Sequence, residues 1–238
     1  MEDKGPILGY WKIRGLIELA KLIMEYGKKP YQMEYYKQGP APEWSRAEWL
    51  DKKFTLGLDF PNVPYLIDGE LKMCESMNIY FYLMKKYVPE LLGKTEMEQA
   101  KVFEGLCVLK DIKDSITMPC YNPDPTKAPE AVKNIAPKVE MVEKKLGKNE
   151  WLIGDTPTVC DLMLMEVTDQ FQLITKGEWL KDHPTLEAHN ARTKEIPSIK
   201  EYKNSPRFFE GPFNNPVASV NNTPEDYWKW AYKFKKDV

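Results

Sequence analysis

Pro6-Ile-Leu-Gly-Tyr-Trp-Lys-Ile-Arg-Gly-Leu16 reads as a short apolar strand, Ile7–Trp11, that runs through a turn into a helix, with Tyr10 at the junction. A helix N-terminus presents unpaired backbone N–H groups and a positive partial charge, so the space in front of it suits an anion. A cysteine placed there has its thiolate stabilised. This junction carries none, and the nearest cysteine in sequence is Cys74. A thiolate at this spot therefore arrives with a substrate, and the Tyr10 hydroxyl is the donor that meets it.

Outward from this stretch, the first ninety or so residues alternate strand and helix signals. A helix is predicted over Ile17–Tyr26 and strands over Tyr31–Tyr36, Tyr65–Ile67 and Leu71–Met73. An Asp68-Gly69 hairpin turn joins the last two strands, and a helix follows over Ser76–Tyr87. The order βαβ then ββα packs most economically as a four-stranded mixed sheet with helices on its faces, the thioredoxin-like arrangement. Beyond Leu92-Gly93 the strands stop. Thr95-x-x-Glu98 is a capping box opening a long helix with apolar positions Val102, Leu106, Leu109, Ile112 and Ile116. One further helix is expected to carry Val132, Ile135, Val139, Val142 and Leu146, bent at Pro137 and ended by Gly147. Thr158-x-x-Asp161 precedes the run Leu162–Val167, and helical segments fit Thr185–Glu195 and Ser198–Lys203. The expected fold is α/β over residues 1–92 and all-α over 93–238.

The 238 residues carry 34 Lys+Arg against 36 Asp+Glu, a net charge of −2, and the scattered basic residues argue against nucleic acid as a partner. Met1-Glu-Asp-Lys lacks the organisation of a secretory signal, and no apolar run reaches the roughly 18 residues that span a bilayer, so a cytoplasmic protein without a membrane span is expected. Cys74, Cys107, Cys120 and Cys160 show neither CxxC nor metal-ligand spacing and are expected to pack as small hydrophobes in a reducing compartment. The two histidines, His183 and His189, do not suggest a metal centre. Asn221-Asn-Thr223 fits a glycosylation acceptor, read as coincidental without an export signal.

The motifs in order closely resemble the cytosolic glutathione S-transferases, specifically the mu class. The similarity runs from about Pro6 to Phe213 and is carried by five pieces: Pro6–Trp11, Arg14-Gly-Leu16, Trp49-Leu-Asp-Lys-Lys-Phe54, the block Leu56–Gly69, and Cys120-Tyr-Asn-Pro123. The loop Gly39–Arg46 is similar to the extended loop of mu enzymes. The resemblance implies the glutathione S-transferase fold, with a thioredoxin-like glutathione-binding domain and a helical domain that holds the electrophile site. It also implies conjugation of the glutathione thiol to small hydrophobic electrophiles, a detoxification chemistry. On this resemblance glutathione is expected as co-substrate, with no metal or other cofactor, and a homodimer is expected.

Residue by residue, the resemblance makes Tyr10 the donor to the glutathione sulfur. A free thiol ionises near a pKa of roughly 8.5, and a hydrogen bond to a charged group contributes about 1.5–3 kcal/mol, enough to lower that value by about one or two units. The glycine carboxylate falls to Arg46, the Trp49 indole N–H and Lys53. Asn62-Val63-Pro64 would hold the cysteinyl unit through the Val63 backbone, with Pro64 in cis. Ser76, opening a helix, would receive the γ-glutamyl carboxylate. Position 75 departs from the mu pattern, with Glu75 in place of the usual Gln, and an anionic Glu75 would pair with the γ-glutamyl ammonium. Trp11 and Leu16 complete the floor. Asp111 matches the residue that reaches in from the partner subunit, and Phe60 the aromatic key of the dimer. Ile13, Leu16, Lys113, Thr117 and Tyr121 line the electrophile side, which Lys113 and Thr117 make fairly polar; Tyr121 would donate to a leaving group or oxyanion.

Past Phe213 the resemblance ends. Thr223-Pro-Glu-Asp226 predicts a short amphipathic helix with Tyr227, Trp230, Ala231 and Phe234 on one face, a clamp on the helical domain in preference to a lid or a membrane-surface helix. Two other readings stand beside the conjugating enzyme. One is a non-catalytic ligand carrier, disfavoured by the retained thiolate donor and glutathione cradle; the other is a glutathione-dependent isomerase that would share every residue named.

Overall fold

The computed structural model describes residues 4–209 and 211–222. Strands β1 (Ile7–Trp11), β2 (Gln32–Tyr36), β3 (Tyr65–Asp68) and β4 (Leu71–Cys74) form one sheet in the order β2-β1-β3-β4. β1 runs parallel to β2, with Tyr10 opposite Tyr35, and antiparallel to β3, with Gly9 opposite Tyr65. Gly9 is obligatory here, because a Cβ would lie 2.0 Å from the Tyr65 ring. Helices α1 (Ile17–Tyr26), α2 (Ala47–Lys53) and α3 (Ser76–Tyr87) complete the α/β half. The β3–β4 hairpin turns on Gly69-Glu70, one residue later than the expected Asp68-Gly69. Asp68 pairs with Leu71 as the last rung, and Gly69, at φ +63°, takes the first turn position.

The rest of the described chain is helical: α4 (Glu96–Thr117), α5 (Lys127–Asn134), α6 (Ala136–Leu146), α7 (Val159–Ile174), α8 (Pro184–Lys194) and α9 (Pro197–Lys203). The Thr95 hydroxyl accepts the Glu98 N–H at 3.2 Å, and Val102, Leu106, Leu109, Ile112 and Ile116 all face inward, as their spacing dictates. The single bent helix expected around Pro137 is two helices, α5 and α6, broken at Ile135. Proline has no N–H for the Lys133 carbonyl and disfavours helical geometry at Ala136, whereas in the first turn of a new helix its missing donor costs nothing.

α7 is enclosed on nearly every side and packs on α4, α8 and α1. Its start is held by Asp161, whose Oδ2 accepts the Thr158 backbone N–H and hydroxyl, while Oδ1 takes the Leu152 N–H and a 2.8 Å contact from His189 Nε2. Three of the four cysteines are buried. Cys107 is not; it lies on the outward side of α4, contrary to the expected packing. Among the described residues no helix is long and apolar enough to cross a membrane. The aromatic stretch from Thr223 onward, expected to form a helix, lies outside the described residues.

Candidate active site

Tyr10, the penultimate residue of β1, is only 7% exposed, and its hydroxyl oxygen accepts the Leu16 backbone N–H at 3.3 Å. The phenol therefore points at the mouth of α1. Between them the chain turns at Gly15, φ +43°, where a Cβ would sit 2.7 Å from Tyr10 Cε1 and 2.8 Å from its hydroxyl. Only glycine lets the turn pass that close. Burial pushes the Tyr10 pKa far above its ordinary value of 10, with the Leu16 N–H opposing and the nearby Tyr121 adding to the rise. The hydroxyl keeps its proton and can donate.

The mouths of α1 and α3 are tied together. Tyr80, one turn into α3, donates to the Leu16 carbonyl, which brings buried Ser76, the first residue of α3, toward Tyr10 and Leu16. Glu75 precedes it, exposed and at φ +69°, a strained setting for a residue with a Cβ. Cys74 Sγ bonds the Asn62 carbonyl at 3.3 Å, so the Asn62-Val63-Pro64 turn lies against the same corner. The Val63–Pro64 bond is cis. Pro64 is buried, Val63 half-buried and Asn62 exposed.

α2 supplies the cationic rim. Arg46 is exposed at its start and Lys53 half-exposed at its end. Trp49 between them is 4% exposed, its ring stacked on Tyr65 at 6.0 Å and tilted against Tyr36 at 5.3 Å. Trp11 meets Tyr36 edge-on at 6.5 Å. The floor is thus a continuous aromatic layer.

The electrophile side differs from expectation. Ile13 is buried in the core, and Lys113, expected with Thr117 to make the electrophile wall fairly polar, is 3% exposed with Nζ donating to the Gly15 carbonyl at 2.8 Å. Burial lowers the Lys113 pKa, and Glu166 opposes that shift. Thr117 accepts from Gln170 Nε2 at 3.1 Å, and the half-buried Tyr121 accepts the Asn215 N–H at 3.0 Å. Asp111 is not drawn to this corner within one chain; it faces solvent on α4 and pairs with Lys138. Phe60 is 81% exposed.

Sequence reading gave no role to the residues that close the mouth. Arg14 and Gly15 donate their backbone N–H groups to the Pro212 and Phe213 carbonyls, at 2.8 and 3.0 Å. The buried Arg14 guanidinium lies 4.0 Å from the Phe213 ring centroid and pairs with Glu166 and, at 3.3 Å, Asp169 on α7. One signal was available. A cation at a helix N-terminus opposes the dipole and so demands acidic partners, but nothing local says that they lie some 150 residues away. A cavity of about 460 Å³ opens elsewhere, between α1, β2 and Pro206–Phe209, and contains none of the expected glutathione residues.

Residues 6–85 match the profile of the glutathione S-transferase N-terminal domain, and residues 110–206 that of the C-terminal domain. Glutathione S-transferase Y1 of Cricetulus longicaudatus is 38% identical over 217 residues, covering 91% of this chain and 98% of that protein. Glutathione S-transferase Mu 1 of Rattus norvegicus is 37% identical with the same coverage. The crystal structure of the glutathione S-transferase Blo t 8 superposes with a TM-score of 0.73 at 27% identity, covering 90% of this chain and 99% of that one. With this similarity along nearly its whole length, and with a phenol held at the mouth of the first helix, the chain belongs to the mu class of the glutathione S-transferase family.

Proposed function

We propose that the protein is a glutathione transferase that ionises the glutathione thiol at the mouth of α1 and adds the sulfur to small hydrophobic electrophiles. The observation that carries this reading is the buried Tyr10 hydroxyl held against the Leu16 N–H across Gly15. The donor is fixed in advance, so its hydrogen bond to the sulfur anion is gained without reorganisation. Arg46, Trp49 and Lys53 would take the glycine carboxylate, Val63 the cysteinyl backbone, and Ser76 with Glu75 the γ-glutamyl head. The glutathione-binding unit is read as residues 1–92 and the helical unit as 93–238. Glutathione serves as co-substrate without a further cofactor, and the setting is cytoplasmic. A homodimer accounts for Phe60 standing almost fully exposed and for Asp111 lying apart from the corner it would serve.

The test is Tyr10→Phe. It should raise the pKa of the bound thiol by about one to two units and cut conjugation near neutral pH by about 10- to 100-fold, with the deficit shrinking as pH rises past the thiol's own ionisation. Equal activity of the two proteins across the pH range would remove Tyr10 from this role.

A further inference from the structure

The cavity of about 460 Å³ between α1, β2 and Pro206–Phe209 shares no residue with the glutathione corner, and its walls combine aromatic faces with cations. β2 lies at the edge of the sheet. Its period of two sends Tyr31, just before the strand, and Met33 and Tyr35 within it to one side, where they line the cavity half-buried, while Gln32 and Glu34 between them are exposed. The Tyr35 ring meets that of Phe209 at 5.4 Å. Buried Lys21 stands behind them, its Nζ 4.9 Å from the Phe209 ring centroid, and exposed Lys29 and Arg207 stand at the rim. The acids nearby are already engaged. Glu18 pairs with Lys21 at 2.9 Å and accepts the Tyr202 hydroxyl, and Glu25 pairs with Arg207 at 3.0 Å and accepts the Tyr31 hydroxyl. Three cations thus face two acids, and among the described residues Lys29 has no ion-pair partner.

We propose that this cavity is a second binding site, for a small flat aromatic molecule that carries one anionic group. Its ring lies among Met33, Tyr35 and Phe209, and its anionic group faces Lys29 and Arg207 at the rim. The volume is that of a site for one small molecule. Aromatic walls favour a planar ring over an aliphatic chain, since stacked and edge-on ring contacts add to the burial of apolar area. The surplus cation favours an anion over a neutral or basic ligand. Because the site shares nothing with the glutathione corner, the two ligands bind at the same time, and the proposal stands apart from the function proposed above.

The experiment titrates naphthalene-2-sulfonate into the full chain by calorimetry, with saturating S-hexylglutathione present to fill the glutathione corner and the electrophile side. One probe molecule should bind per chain, more weakly as salt is raised. Lys29→Glu should weaken binding by about five- to tenfold, and Phe209→Leu, which removes the ring face, by about three- to tenfold. Lys144→Glu, an equal charge change on the exposed side of α6, should leave binding as in the wild type. All three variants should keep the wild-type kcat and KM for glutathione. A wild type that binds no probe with the corner filled overturns the proposal, whatever else occupies the cavity. Binding that Lys29→Glu and Phe209→Leu leave at wild-type strength, or that Lys144→Glu weakens as much as they do, overturns it equally. If S-hexylglutathione itself does not bind, the function proposed above fails, while the same variants still decide this site.

Discussion

At the scale of single residues, the reactive corner depends on what is missing at position 15. Gly15→Ala would place a methyl within 2.8 Å of the Tyr10 hydroxyl and force a left-handed φ on alanine, a strain of about 1–2 kcal/mol. We expect a loss of conjugation with a raised thiol pKa, together with a fall in unfolding free energy of about that size by urea denaturation. Tyr10, Leu16 and Ser76 were legible as residues at strand and helix ends, because each sits in a local motif whose geometry follows from a few neighbours. Lys113 was not. On sequence it is a lysine in a charged helix, and its burial is decided by Gly15, 98 positions earlier. The packing of Trp49 between Tyr36 and Tyr65 requires the strand order, which no window of sequence contains.

At the scale of elements, α7 holds the two halves in register. Asp169 near its C-terminal end gathers Arg14, Lys194 at 2.5 Å and Lys203 at 3.4 Å. These cations hold its carboxyl well below the usual carboxylate range despite burial. A depressed folded pKa stabilises the native state at any pH above the unfolded value of about 4, and that stabilisation fades as pH falls toward the folded value. Asp169→Asn should therefore unfold at lower urea concentration than wild type at pH 7, and the gap between the two should narrow steadily below about pH 4. The capped starts of α4 and α7 were readable from Thr95, Glu98, Thr158 and Asp161. The break between α5 and α6 was misjudged because Pro137 suits a kink as well as a first turn, and only the packing of the flanking helices chooses.

At the scale of the molecule, Phe60 stands exposed and Asp111 lies apart from the reactive corner, and the homodimer proposed above would use both. A two-fold interface uses each contact twice, and a buried aromatic anchor contributes about 2 kcal/mol or more. Phe60→Ser should shift sedimentation equilibrium toward monomer by at least tenfold in dissociation constant, and should weaken glutathione binding if Asp111 serves across the interface. The division into sheet and helical halves was plain in the sequence, since the strand signals stop after Gly93. The stitching between the halves was not. α1 is buried from Ile17 to Glu25, and its polar groups are met by late residues: Glu18 by Tyr202, Lys21 by the Arg207 carbonyl, and the Tyr26 carbonyl by Ser198. During synthesis on the ribosome, the amino-terminal half therefore emerges long before the groups that satisfy its first helix. It must wait, incompletely packed, for the last stretch of chain to leave the exit tunnel, and a message truncated before codon 198 would direct a product open to chaperones and proteases even though every glutathione ligand proposed for the first half had been translated.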